Sequence, residues 1–409
     1  MTPTTIQILL IVLLTLHFIV QFISEWLNMR HQPDTLPSEV RDIYDEARYT
    51  SSKRYHIEHT RLALIEMTFG FILSLIIILS GLLGRFDEAL SLYIKPIWLR
   101  GVVFLGLLSF AQSLLSIPFE LYRNFNIEAR YGFNQMDTKT YVTDKLKGYL
   151  IAIILGGGLL ALLMGLILKL GPSFWFYFWL IFSAFNIFMA MFSTSLILPL
   201  FNKLSPLEDG ELKQRLEAYA RGQGFALKDI FVMDGSRRSS KANAFFSGLG
   251  REKKIVLFDT LIEKMSTDEI IAVLAHEVGH YKKRHVPLFI ILSLVYVGLL
   301  LFILSKLIFS ESLSLALGAQ GLSYPINLIA AGLLFSPLSL ILGSLTNALS
   351  RRFEFQADDF AATTSSASAM QSALKNLASS NLSNLSPHPF YVMLNYSHPP
   401  MLDRLRALA

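Results

Sequence analysis

His276-Glu277-Val278-Gly279-His280 places two imidazoles four residues apart with an acid beside the first. On a helix that spacing puts both rings on one face, where two nitrogens can bind a single tetrahedral Zn²⁺. Glu277 then flanks the open side of the metal. A carboxylate there can take a proton from a metal-acidified water as that water attacks a peptide carbonyl, so the chemistry indicated is hydrolysis. With nine His in 409 residues, the three fixed positions match by chance in roughly one such sequence per hundred on composition, so further ligands must support the reading.

A third protein ligand is required. The longer pattern H-E-x-x-H-x-x-G-x-x-H is excluded, because Lys283 stands at its Gly and Val286 at its last His. His285 is five residues past His280, on another face, and beside Lys282, Lys283 and Arg284 it is expected to be solvated. The better candidate is Glu354 in Arg351-Arg352-Phe353-Glu354-Phe355-Gln356-Ala357-Asp358. Glu354 and Asp358 share a helix face, so one carboxylate can bind the metal while the other hydrogen-bonds the far nitrogen of a ligand His. The chain has no Cys, so disulfides and thiolate sites are excluded and any metal must use His and carboxylates.

The elements that position these residues are legible nearby. Ser266-Thr267-Asp268-Glu269 is a capping box followed by the apolar run Ile270–Ala275, so the motif lies on a helix with a buried face. Residues 201–285 predict a helix from about Leu207 to Arg221 and strands at Asp229–Met233 and Lys254–Phe258. Between them, Asn243-Ala244-Phe245-Phe246-Ser247-Gly248 is an expected edge strand, the kind of edge that holds an extended substrate by main-chain hydrogen bonds. Residues 351–409 are expected to be mostly helical, with a loop at about 379–386.

Hydrophobic residues make up 53% of the chain and charged residues 16%, which fits a polytopic membrane protein. Seven stretches are long enough to span: roughly 5–28, 62–84, 99–119, 148–169, 174–200, 286–308 and 324–349. The third contains Gln112 and ends at Pro118-Phe119-Glu120, so it is expected to line a wet cavity or to be partly unwound. Connections 29–61, 120–147 and 201–285 and the tail after 350 are rich in Lys/Arg, whereas 85–98, 170–173 and 309–323 carry few or none. By that bias the N terminus is outside and both halves of the metal site are cytoplasmic. The first span reads as a signal anchor without a cleavage site. The net charge of +5 follows from the cytoplasmic bias and suits contact with anionic lipid headgroups. No basic-aromatic array points to nucleic acid.

Several segments together resemble the type I CAAX prenyl protease family. They are Asp234–Ser240, Asn243–Phe246, Lys254–Leu261, the HEVGH helix, Glu354–Asp358 and Ser397-His398-Pro399-Pro400, with Pro118–Tyr122 and Ile127–Asn134 upstream. The match covers nearly the whole chain in order. The resemblance implies a mainly α fold: a polytopic seven-helix membrane barrel around a water-filled chamber, with a cytosolic α+β zinc metalloprotease domain. It implies one Zn²⁺ per chain on His276, His280 and Glu354, Glu277 as general base, and Asp358 as the orienting carboxylate. Asn243 and His398 match positions that stabilise the oxyanion, and Arg404 matches one that anchors the tail to the metal-side carboxylates. Asn243, Ala244, Phe245 and Phe246 would bind substrate.

The expected parts are 1–200 (five spans with connections), 201–285 (edge strand and HEVGH helix), 286–350 (two spans) and 351–409 (third ligand). The expected activity is endoproteolysis of prenylated or other membrane-associated peptides, with peptide or protein substrate and membrane lipid as partners. The alternative is quality control of membrane proteins with no lipid requirement. A transporter or receptor would explain the spans but not the cytosolic His₂Glu set. The short chain and the tail Leu405–Ala409, which has no dilysine-type signal, suggest the bacterial inner membrane and not the endoplasmic reticulum.

Overall fold

In lipid every backbone N–H and C=O must find its partner within the protein, so apolar spans of this length form helices. The computed structural model describes residues 1–33, 35–42, 44–247 and 253–409. The first part holds α1 (Pro3–Arg30), α2 (Glu46–Ser80) and α3 (Ile97–Tyr122), the last running on into a π turn at Arg123–Glu128. Next come α4 (Thr138–Ile151), continuous through a second π turn with α5 (Gly158–Leu170), and α6 (Phe174–Leu196). A soluble segment follows with β1 (Leu204–Pro206), α7 (Glu211–Gly222), β2 (Leu227–Met233), β3 (Ala244–Ser247), β4 (Lys253–Phe258) and α8 (Thr267–Lys282). The chain re-enters the helical layer as α9 (His285–Leu307) and α10 (Tyr324–Ala361), and ends with α11 (Ala367–Ser380), α12 (Pro389–Asn395) and α13 (Met401–Ala407).

Among the described residues, six continuous helical stretches are long and apolar enough to cross a membrane. One of them, Thr138–Phe201, doubles back at Gly171–Ser173, where Gly171 takes φ 54°, and so supplies two rods. The seven rods contact one another in the cyclic order α1, α10, α9, α6, α5, α3, α2, with the π turn after α3 closing against α2. Only 6–22% of the most apolar window of each stretch is buried, so little of each span is covered by neighbouring helices. Ile65, Ile76, Ile153, Ile291 and Ile341 are exposed on its surfaces, as expected where lipid is the solvent.

The soluble sheet has the order β1-β2-β4-β3, with β2 and β4 parallel and β3 antiparallel at the edge. Its core joins Leu216, Ile230, Ile255 and Leu257 to Ile270, Leu274 and Val278 on one face of α8. A second core places Ala272 and Ala275 of α8 against Met370, Leu374, Leu402 and Leu405. With two faces committed, α8 turns the third, bearing His276 and His280, toward α10.

Two expectations change. The third span is not unwound: α3 stays helical through Pro118 to Tyr122, a tolerance for Pro common in membrane helices. The helix expected from Leu207 begins only at Glu211, because the backbone of Leu207 extends the sheet by donating to Ile230 O at 2.9 Å. The edge strand lies where it was expected, at residues 244–247, while Gly248 falls outside the described residues.

At the crossing of α8 and α10, a Cβ on Gly279 would meet Ala357 Cα at 3.1 Å and Ala357 O at 3.2 Å. Gly279 thus permits the close approach that brings Glu354 to the histidines. Gly279→Val is expected to cost about 1–3 kcal/mol by overpacking, seen as a lower thermal midpoint in detergent. Gly165→Val, which faces open space, should leave the midpoint nearly unchanged.

Candidate metal centre

Helix α8 starts at a complete capping box, with Ser266 Oγ accepting from Glu269 N and Glu269 Oε2 accepting from Ser266 N. The register set there puts His276 and His280 on the face toward α10, whose C-terminal part carries Glu354 and Asp358. His276 Nε2 and His280 Nε2 lie 3.1 Å apart. Each also faces one oxygen of Glu354, His276 Nε2 at 3.4 Å from Oε2 and His280 Nε2 at 3.3 Å from Oε1. A tetrahedral site with bonds of about 2.0–2.1 Å spaces its ligand atoms about 3.3–3.4 Å apart, so three donors already sit at metal-ligand separations. Glu354 Oε2 is buried and has no aligned hydrogen bond. A buried carboxylate lone pair left in that state costs free energy, and a cation at the centre of the triangle would satisfy it. The residues present therefore fit a metal ion.

Asp358 holds the far side of His276, its Oδ1 accepting from Nδ1 at 2.8 Å. Arg404 in α13 grips the same carboxylate with two bonds, Nε to Oδ2 at 2.7 Å and one Nη to Oδ1 at 2.6 Å. That bidentate geometry is the strong form of the contact and ties the C-terminal helix to the site. Burial pulls the His276 imidazolium down, but Asp358 and Glu354 outweigh it and hold the group up at about 9. Burial pushes the Glu277 carboxyl up, and the neighbouring histidines only partly offset it.

His398 reaches the cluster from the loop between α12 and α13, with Nδ1 2.8 Å from Glu354 Oε2 and most of its side chain exposed. The loop is held by Arg351, which donates to Val392 O and Tyr396 O, and by Asn347, which donates to Leu394 O. Asn243 is exposed at the start of β3, an edge that α8 touches. Its Oδ1 accepts from Ala244 N at 2.8 Å, and its carbonyl accepts from Phe258 N. Phe246 and Ala244 pack on the sheet core, while the Phe245 ring lies 6.4 Å from Phe258. The structure thus gathers His276, His280, Glu354, Asp358, Arg404 and His398 into direct contact and leaves Asn243 on the adjoining strand.

His285 is not solvated. It is only 2% exposed, its Nδ1 is 3.0 Å from His280 Nδ1, and its ring stacks on Phe353 at 4.0 Å. The reason is Arg284, which adopts the left-handed conformation at φ 58°. That residue is the N-cap of α9 and turns the chain so that the first residue of α9 comes back to the metal face, which helical spacing alone could not anticipate. A second group missed from sequence ties the edge strand to the membrane ring: Lys241 Nζ donates to Tyr55 OH at 2.8 Å and pairs with Glu128 Oε2 at 2.9 Å. Its signal was an acid, Glu128, just past the end of an apolar span.

A ring of membrane helices carrying a two-histidine, one-carboxylate cluster with an acid beside it defines a membrane-embedded metalloendopeptidase. The profile described as CAAX prenyl protease N-terminal, five membrane helices, matches residues 25–203, and that of peptidase family M48 matches residues 206–409. The chain belongs to the CAAX prenyl protease family. It is 33% identical over 386 residues to the CAAX prenyl protease 1 homolog of Oryza sativa subsp. japonica, covering 91% of this chain and 90% of that one. To the CAAX prenyl protease 1 of Saccharomyces cerevisiae it is 32% identical over 399 residues, with 91% and 88% covered. The crystal structure of S. mikatae Ste24p superposes with a TM-score of 0.91 at 30% identity and covers 99% of both chains. The fold is therefore the seven-helix membrane barrel with its protease domain, and the family implies a metal.

Because His276 must give up its proton to bind a metal, Zn²⁺ affinity of the stripped protein is expected to rise roughly tenfold per pH unit from 6 toward 9. Chelator competition at several pH values checks this; a flat profile would contradict it.

Proposed function

We propose that the metal is Zn²⁺, one per chain, held by His276, His280 and Glu354, and that the chain cleaves peptide bonds near the C terminus of prenylated or other membrane-associated substrates. The observation that carries this reading is the triangle of ligand atoms on His276, His280 and Glu354, which all lie within 4.8 Å of one another. When bound, the metal supplies Lewis acidity, polarising the scissile carbonyl and acidifying water. The chain's residues do the rest. Glu277, made more basic by its burial, takes the proton from the attacking water and passes it to the leaving amine. His398 and the exposed Asn243 supply donors for the developing oxyanion. Asp358, itself held by Arg404, keeps His276 in one tautomer. The edge strand Ala244, Phe245, Phe246 lays substrate beside the site by main-chain pairing.

The Lys/Arg bias supports an N terminus outside and a cytoplasmic metal site, with the working parts as 1–200, 201–285, 286–350 and 351–409. The names of the similar proteins support a prenylated substrate, whose lipid would lie among the membrane helices. In the bacterial inner membrane expected from sequence, unprenylated membrane proteins become the substrates.

Purified protein should cleave a farnesylated CaaX peptide faster than its unprenylated twin; equal rates would favour quality control without a lipid requirement. Glu277→Ala should keep the metal and lose about 10²–10⁴ in rate, and His398→Ala or Asn243→Ala about 10²–10³. Glu354→Ala should lose the metal by elemental analysis, and Asp358→Asn should weaken it about 10–100-fold. Full metal occupancy in the Glu354 variant would move the third ligand elsewhere.

A further inference from the structure

His280 presents Nε2 to the metal triangle, which leaves Nδ1 as its far nitrogen. That Nδ1 lies 3.0 Å from Nδ1 of His285, whose own Nε2 lies 3.0 Å from Gln356 Oε1. We propose that His285 and Gln356 form a neutral hydrogen-bonded relay that orients His280 and fixes its tautomer for metal binding. The proposal rests on His280 being a ligand.

The proton order follows from donor and acceptor capacity. A Gln carbonyl oxygen only accepts, so with Oε1 facing the ring the proton of His285 sits on Nε2. The lone pair of His285 is then on Nδ1 and must accept from His280 Nδ1–H. That leaves His280 Nε2 with its lone pair aimed at the metal position. Were the Gln356 amide turned over, the order would reverse and put a proton on His280 Nε2, toward Glu354 Oε1, where it competes with a cation. Gln356 therefore sets the tautomer of His280 through a ring it does not share. The relay is held mechanically as well: Phe353 stacks on His285 with an interplanar angle of 3°, and Arg284 delivers the residue by its left-handed turn.

The two ligand histidines are thus supported differently. His276 donates to a carboxylate, which pushes electron density onto its ligating nitrogen. His280 donates to a neutral ring and amide, which orient it and add no charge. One charged support and one neutral support would leave a bound metal more electrophilic than two carboxylates would.

The test uses full-length protein in detergent, with Zn²⁺ affinity by chelator competition and the visible spectrum of the Co²⁺-substituted form. His285→Phe keeps a ring for the stack on Phe353 and removes the acceptor; affinity should fall about 10–100-fold, with a shifted Co²⁺ spectrum. His285→Asn places an amide oxygen near the lost Nδ1 and should restore most of both. Gln356→Leu, at an exposed position, should lower affinity without loss of folding, and Gln356→Glu should raise it. Wild-type affinity and spectrum in His285→Phe overturn the relay, as does His285→Asn behaving like His285→Phe, which would make the residue a packing wedge. His280→Ala is measured alongside: if it binds Zn²⁺ as tightly as wild type, the ligand assignment itself fails, an outcome distinct from failure of the relay.

Discussion

Buried negative charge is the constraint around which the metal centre is organised. Glu354 and Asp358 stand one turn apart on α10, only 3% and 1% exposed, with Glu277 nearby on α8. Carboxylates taken out of water this completely stay ionised only beside cations. Arg404 is the one guanidinium in contact with them among the described residues, Asp358 taking its two close bonds and Glu354 lying 3.7 Å from it. The histidines supply the remainder, as a proton on His276 when no metal is bound or as ligands to a divalent cation. Metal binding and the protonation of His276 are therefore alternative ways of neutralising the same buried charge.

That charge also explains why remote segments converge. The C-terminal helix α13 packs Leu402 and Leu405 into the core against α8 and α11, and between them Arg404 reaches the acid on α10. The capping box sets the register of α8, Gly279 lets it approach α10, and Arg284 bends the chain so that His285 meets His280. Lys241 clamps the loop before the edge strand to Tyr55 and Glu128 at the rim of the membrane ring. Edge strand, metal-site helices and membrane helices are held by polar contacts where they meet, while apolar packing fills the cores on either side.

The membrane part obeys a different solvent. Its helices leave large apolar side chains exposed because lipid, not water, covers the outer face. Interior contacts are concentrated toward one end, where Leu313, Ala316, Leu317 and Ala319 join Phe104, Ile326 and Ala330. There Gly81 and Gly318 let two connections pass at backbone contact. This end is packed tightly, while the spans themselves bury little of their length.

The sequence alone determined whatever depends on local spacing and composition. The HEVGH helix with its capping box, the pairing of Glu354 with Asp358, the seven apolar spans and the edge strand were all readable, because helical and strand periodicities and lipid-length runs act over a few residues. Resemblance across several motifs extended this to Asn243, His398 and Arg404, for which spacing offered no reason. Tertiary structure decided the rest. His285 was misread because one left-handed residue, Arg284, overrides helical phase. The role of Gly279 appears only when Ala357 is placed against it, and Lys241 finds Glu128 more than a hundred residues away. Contacts of that kind depend on how separate helices cross and on which buried charges must be neutralised, and neither is written in any local stretch of the chain.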